Sequence, residues 1–96
     1  MDQSEFLRLL TGLAKIVKPM HRNAVEIASM DAPFKELDID SLDTLMLVIY
    51  TCELHGIPEE VGKQCYPRNA QDLWQFVEQH KTQDVDDVEA ALEACK

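Results

Sequence analysis

The chain has little positive charge: nine Lys and Arg stand against eighteen Asp and Glu, a formal charge of -9. A phosphate backbone is repelled by such a field, so nucleic acid is excluded as a partner. Basic protein surfaces would be attracted instead. No apolar run approaches the ~20 residues that span a bilayer; the longest covers residues 45–50. The N-terminus, Met1-Asp2-Gln3-Ser4-Glu5, is acidic where a signal peptide is basic, and no small-residue cleavage site follows an apolar stretch. A cytoplasmic location without a membrane span is therefore expected. The three cysteines, Cys52, Cys65 and Cys95, are odd in number, widely spaced and free of any Cys-x-x-Cys pair. That argues against a disulfide framework and fits a reducing compartment. There is no internal repeat and no strand-like alternation of apolar and polar residues.

What is present is helical. Ninety-six residues, 46% of them hydrophobic, suffice for one modest core and leave little room for a deep enzyme cleft. Phe6, Leu9, Leu10, Leu13, Ile16 and Val17 recur at three- and four-residue steps and predict a first helix over residues 4–17, stopped by Pro19. Residues 20–39 show no period. Val25, Ile27, Met30, Phe34, Leu37 and Ile39 are scattered there, as expected of a long loop pinned to the core with Phe34 as its largest anchor.

A second helix is expected from Asp40 or Ser41, either of which can serve as N-cap, to Gly56. Asp43 in the first turn suits the helix dipole. Leu42, Leu45, Met46, Ile49 and Cys52 can mark one apolar face, but Leu47, Val48, Tyr50 and Leu54 make the helix apolar almost all round. Such a helix is either central in the fold or partly exposed for a partner. A short third helix is expected over residues 58–64, begun by Pro58, acidic at Glu59 and Glu60, and weakened by Gly62. A fourth is capped by Asn69 with Asp72 three residues on, and contributes Leu73, Trp74, Phe76 and Val77, with Trp74 at the core's edge. Beyond His80, Val85, Val88, Leu92 and Cys95 sit at helical spacing among carboxylates. A helix of that length is marginal alone, so residues 81–96 are expected as a frayed acidic tail, the alternative being a short extra helix.

Ser41 is the one side chain in a chemically suggestive setting. It can be a plain helix cap. It is a poor hydrolase nucleophile, because no Gly-x-Ser-x-Gly turn surrounds it, its neighbours are carboxylates, and His21, His55 and His80 lie elsewhere. It can also be an acceptor, since a phosphate ester at a helix N-terminus meets free N–H groups and the positive end of the dipole. A metal site fares poorly: Cys52 and His55 are three apart and Cys65 could approach, but zinc wants four ligands. Core cysteine and partly exposed histidine are expected there instead.

The segment Phe34-Lys35-Glu36-Leu37-Asp38-Ile39-Asp40-Ser41-Leu42-Asp43-Thr44 resembles the modification site of acyl carrier proteins, in which a Phe precedes Leu-Gly-x-Asp-Ser-Leu and a helix. The resemblance extends over residues 4–79 and includes the long first loop, Ile57-Pro58 before a short acidic helix, and the capped last helix. It implies a small four-helix bundle over residues 1–80, no catalysis of its own, and Ser41 as the residue that receives 4'-phosphopantetheine from coenzyme A. Asp40 would assist the phosphopantetheinyl transferase and its magnesium ion.

The implied partners are acyl-loading, ketosynthase or acyltransferase-type enzymes with basic docking patches, meeting a monomer. Docking is expected to use Asp43, Glu53, Glu59 and Glu60 with apolar Leu42, Leu45, Met46, Ile49 and Tyr50. Residues 36–60 hold seven carboxylates and no Lys or Arg, which fits such a face. Asp38 stands where the family has Gly, the stretch from Ser41 to Pro58 is slightly short, and the second helix is less acidic, with Met46 and Tyr50 at positions usually charged or small. These departures point to a carrier for a specialised lipid, polyketide-like or aminoacyl pathway rather than to the housekeeping fatty-acid carrier. The rival without modification is a helical interaction module docking a fixed partner through the second helix.

Overall fold

The structure, a computed structural model, describes residues 2–17 and 26–95. Pro19, His21 and Val25 lie outside the described residues. Among the described residues the chain is all-helical: α1 (Gln3–Val17), a 3₁₀ turn (Phe34–Leu37), α2 (Ser41–Leu54), α3 (Glu59–Gly62), α4 (Ala70–His80) and α5 (Val88–Cys95), with no strand. Its radius of gyration, 12.0 Å, is close to the ~12 Å of a compact domain of this length.

Helix α1 begins where the Asp2 carboxylate accepts the Glu5 N–H at 2.8 Å. Its stripe of Phe6, Leu9, Leu10, Leu13 and Ala14 is buried, and Ile16 and Val17 pack at the core's edge. Trp74 of α4 is partly buried and meets Phe6 edge to face, ring centroids 5.0 Å apart. Between α1 and α2 the chain is held by single anchors. Ile27 is buried and its N–H donates to the Thr11 hydroxyl at 3.0 Å. Phe34 is 2% exposed. The start of α4 is tied to this segment by Gln71 N–H to the Met30 carbonyl and Phe34 N–H to the Arg68 carbonyl, both at 2.8 Å.

Helix α2 buries a different face from the expected one. Of Leu42, Leu45, Met46, Ile49 and Cys52, only Cys52 is fully buried; the buried set is Leu47, Val48, Thr51 and Cys52, continued by His55. Val48, Thr51, Cys52 and His55 form an unbroken helical stripe, with Val48 and Cys52 lying against Gly62 of α3. Two of its members are polar, and each is satisfied by the helix itself. The Thr51 hydroxyl donates to the Leu47 carbonyl at 2.7 Å, and His55 Nδ1 lies 2.7 Å from the Thr51 carbonyl oxygen. Internal pairing removes most of the penalty of burying them. His55, expected to be partly exposed, is thus a core residue.

Helix α3 is shorter than expected and sits close on α2. A Cβ on Gly62 would lie 3.0 Å from Cys52 Sγ, so glycine leaves room for this approach at some cost to the helix. Helix α4 starts as the sequence suggests, with the Asn69 side chain accepting the Asp72 N–H at 2.9 Å.

Of the two readings for residues 81–96, the described residues show the short extra helix and not the frayed tail. Residues 88–95 form α5, which packs along α1 with Val85 and Val88 buried and Leu92 lying over Gly12, where any Cβ would run into it. An exposed pair, Arg8 and Glu89, spans the same contact at 3.6 Å. Such pairs contribute about 0.2–1 kcal/mol, whereas full burial of a Val side chain contributes about 1.5–3 kcal/mol. Apolar contact therefore decides where α5 lies.

Candidate functional site

The start of α2 is built from the chain leading into it. Phe34 seats the 3₁₀ turn in the core, and Asp38 then reverses the backbone. It adopts φ 61° and ψ 30°, and its N–H donates to the Phe34 carbonyl. This left-handed conformation is the one that glycine favours and that Asp tolerates better than most residues. Ile39 is buried and its N–H also reaches the Phe34 carbonyl, at 3.0 Å. With Phe34 and Ile39 both held in the core, Asp40 and Ser41 are delivered to the surface.

Asp40, not Ser41, is the N-cap. Its Oδ1 accepts the Asp43 N–H at 2.9 Å, while Asp43 Oδ2 accepts the Asp40 N–H at 3.4 Å, a reciprocal capping box. The Thr44 hydroxyl adds a bond to the Asp40 carbonyl at 2.8 Å. Ser41 is consequently the first helical residue, exposed, with its hydroxyl not used for capping. The N–H groups of Ser41 and Leu42 have no intrahelical acceptor and form the positive end of the dipole. A hydroxyl placed there is open to a bulky modifying group, and a phosphate ester on it would meet donors. The donor set therefore fits an attached phosphate, with the Asp40 and Asp43 charges opposing it in part.

The other expected docking residues divide by exposure. Leu42 is 67% exposed and Leu45 37%, which is high for leucines on an ordered helix. Glu53, Glu59 and Glu60 are exposed; Asp43, Met46, Ile49 and Tyr50 are half-buried, and Tyr50 packs against the core. Sequence reasoning missed Tyr66, 84% exposed on the loop between α3 and α4. The same loop bonds to the 3₁₀ turn through the Arg68 carbonyl, which ties it to the segment leading into α2. An exposed aromatic beside a proline, Tyr66-Pro67, was the available signal.

Two other features lie apart from Ser41. An open groove of about 460 Å³ runs between α1, residues 26–28 and α5, and none of its lining residues belongs to α2. Cys52, His55 and Cys65 belong to no cluster of three ligating side chains among the described residues. Burial pushes the Cys52 and Cys65 thiols up to about 11. Among the described residues no helix is long and apolar enough to cross a membrane. No protein-family model, no curated protein and no solved structure matches the chain, so the functional reading rests on this local geometry and on the residues of the segment around Ser41.

Proposed function

We propose that this chain is a carrier of acyl groups, held as thioesters on a 4'-phosphopantetheine arm esterified to Ser41, and that it presents them to partner enzymes. The observation that carries the reading is the position of Ser41: exposed, first in α2, with the cap supplied by Asp40 and Asp43. A serine serving as the cap would hold its hydroxyl against the backbone; this one is available. Asp38 supports the same reading. It stands where the resembled family has glycine, and its backbone is in a conformation that glycine favours.

On this reading α1 to α4 are the carrier bundle of acyl-carrier type and α5 an addition to it. The arm contributes a flexible thiol, and tethering raises the effective concentration of cargo at a partner's active site. Asp40 assists the phosphopantetheinyl transferase and its magnesium ion. As Ser41 Oγ bonds to phosphorus, the pyrophosphate link of coenzyme A breaks, releasing adenosine 3',5'-bisphosphate and the hydroxyl proton. Leu42, Leu45 and the carboxylates of α2 and α3 face acyl-loading, ketosynthase or acyltransferase-type enzymes through apolar contact with a charged rim. The carrier works as a cytoplasmic monomer, in a specialised lipid or polyketide-like pathway; the aminoacyl or peptidyl carrier uses the same arm with different cargo.

Incubation with coenzyme A, magnesium and a broad-specificity phosphopantetheinyl transferase tests the reading. The protein is expected to gain the mass of one phosphopantetheine and Ser41→Ala to gain none. An unmodified wild-type protein would leave the second reading, a helical interaction module, which the exposure of Leu42 and Leu45 favours.

A further inference from the structure

His55 closes α2, is 3% exposed, and has no part in the chemistry at Ser41. It lies beneath a strap. The His55 carbonyl accepts the N–H groups of Thr82 at 3.0 Å and Gln83 at 3.3 Å. Gln83 Nε2 donates to the Leu54 carbonyl at 2.9 Å, and the Thr82 hydroxyl to the Gly56 carbonyl at 2.8 Å. Together these bonds satisfy carbonyls at the end of α2 that have no intrahelical partner. Gly56, at φ 67°, lets the chain turn beneath Thr82, which a Cβ there would strike. The strap then leads through buried Val85 into α5. The mooring of α5 is thus built on the residue that ends α2.

The ring can respond to pH. Nδ1 faces the Thr51 carbonyl oxygen at 2.7 Å, so the neutral ring carries its proton on Nδ1. A second proton on Nε2 would place a full charge in a buried site. The charged groups facing the ring are Glu78 from the end of α4 and Lys81 and Asp84 from the strap. The Lys81 ammonium lies 2.7 Å from Asp84 and 3.3 Å from Glu78, so both carboxylates already have a cation, and that cation repels an imidazolium. Burial, ahead of every other cause, holds His55 below its ordinary 6.5.

We propose that His55 is a pH-sensitive latch: neutral, it lets the strap close over the end of α2; protonated, it releases the strap and with it the mooring of α5. The inference is independent of the role given to Ser41. Its sign follows from linkage. Released, the imidazole regains its ordinary affinity for a proton, so below pH 6.5 the open state binds more protons and closure weakens as the pH falls. Above that value closure is at full strength.

Hydrogen–deuterium exchange on the full chain tests the latch, comparing the Thr82 and Gln83 amides with Leu10 in α1 at about pH 7.5 and about pH 5.5, each corrected for intrinsic exchange. Strap protection is expected to fall severalfold relative to α1 on acidification, with a ceiling of about tenfold per pH unit for one proton. In His55→Asn, whose amide nitrogen takes the place of Nδ1 and can donate to Thr51 without titrating, the ratio should stay flat. A flat wild-type ratio, or an equal change in the variant, overturns the latch. If the variant fails to fold, the wild-type imidazole decides by NMR: titration below 6.5 supports the latch, and titration at or above it overturns it.

Discussion

The Asp40 and Asp43 carboxylates cap each other's backbone N–H groups, at 2.9 Å for the Asp43 N–H and 3.4 Å for the Asp40 N–H, and Ser41 between them is left out of the cap. Stability should report this division. Asp40→Ala is expected to cost about 1 kcal/mol, the usual loss for an N-cap. Ser41→Ala should stay within about 0.5 kcal/mol, as for other exposed positions. Urea unfolding of both variants measures the difference as a midpoint shift at constant slope. A Ser41→Ala loss as large as that of Asp40→Ala would return Ser41 to the role of cap.

Asp38 sits at φ 61°, a backbone that costs an L-residue roughly 1–2 kcal/mol, with Gly exempt and Asp partly so. Asp38→Gly should therefore be tolerated. Asp38→Val, whose branched side chain is least compatible with that region, should destabilise by roughly 1–2 kcal/mol. Thermal melts of the two variants are expected to fall on opposite sides of, or level with and well below, the wild-type midpoint. Equal losses would mean that the Asp side chain, not the backbone, matters at this turn.

Gly62 and Cys52 set how closely α3 approaches α2. A methyl on Gly62 would press on Cys52 Sγ at 3.0 Å and touch Cys52 Cβ at 3.5 Å, and Cys52 is buried. Overpacking of this kind costs about 1–3 kcal/mol, more than the ~1 kcal/mol by which Ala outranks Gly in a helix. Gly62→Ala is expected to destabilise. In a Cys52→Ala background the same change should cost less, so the two substitutions should combine to less than their sum in a double-mutant cycle. Strict additivity would show that the two side chains do not meet.

The thiols should be sluggish nucleophiles. Burial pushes Cys52 and Cys65 up to about 11, and Cys95 is raised by burial and by the charge of Glu53. At a pH of about 8, a thiol titrating near 11 is only ~0.1% thiolate, the reactive form. Iodoacetamide labelling of Cys52 and Cys65 in the folded protein should be roughly two orders of magnitude slower than that of free cysteine, rising up to about tenfold per pH unit. Rapid labelling at either position would identify a local opening or a hidden activating charge.

Where local chemistry decides, the amino-acid order was readable. The α1 stripe from Phe6 to Leu13, the anchor at Phe34 and the Asn69 cap each follow from side chains within a few positions of one another. The inward face of α2 was not readable, because Thr51 and His55 look polar until their hydrogen bonds to Leu47 and Thr51 carbonyls are seen. Nor was the choice between Asp40 and Ser41 as cap, since both residue types serve equally well and only the backbone entering from Asp38 selects one.

Helix α5 marks the boundary most clearly. Its spacing of Val88, Leu92 and Cys95 permitted a helix, but eight residues do not hold one alone in water. What orders it is distant in sequence: Gly12 leaves the space that Leu92 fills, and the end of α2 at His55 moors the strap before it. The sequence by itself determined an all-helical, acidic chain with Ser41 in its one chemically suggestive segment. The tertiary structure decided which faces are buried and where the C-terminal segment lies, because burial is a property of contacts between elements and no single element carries it.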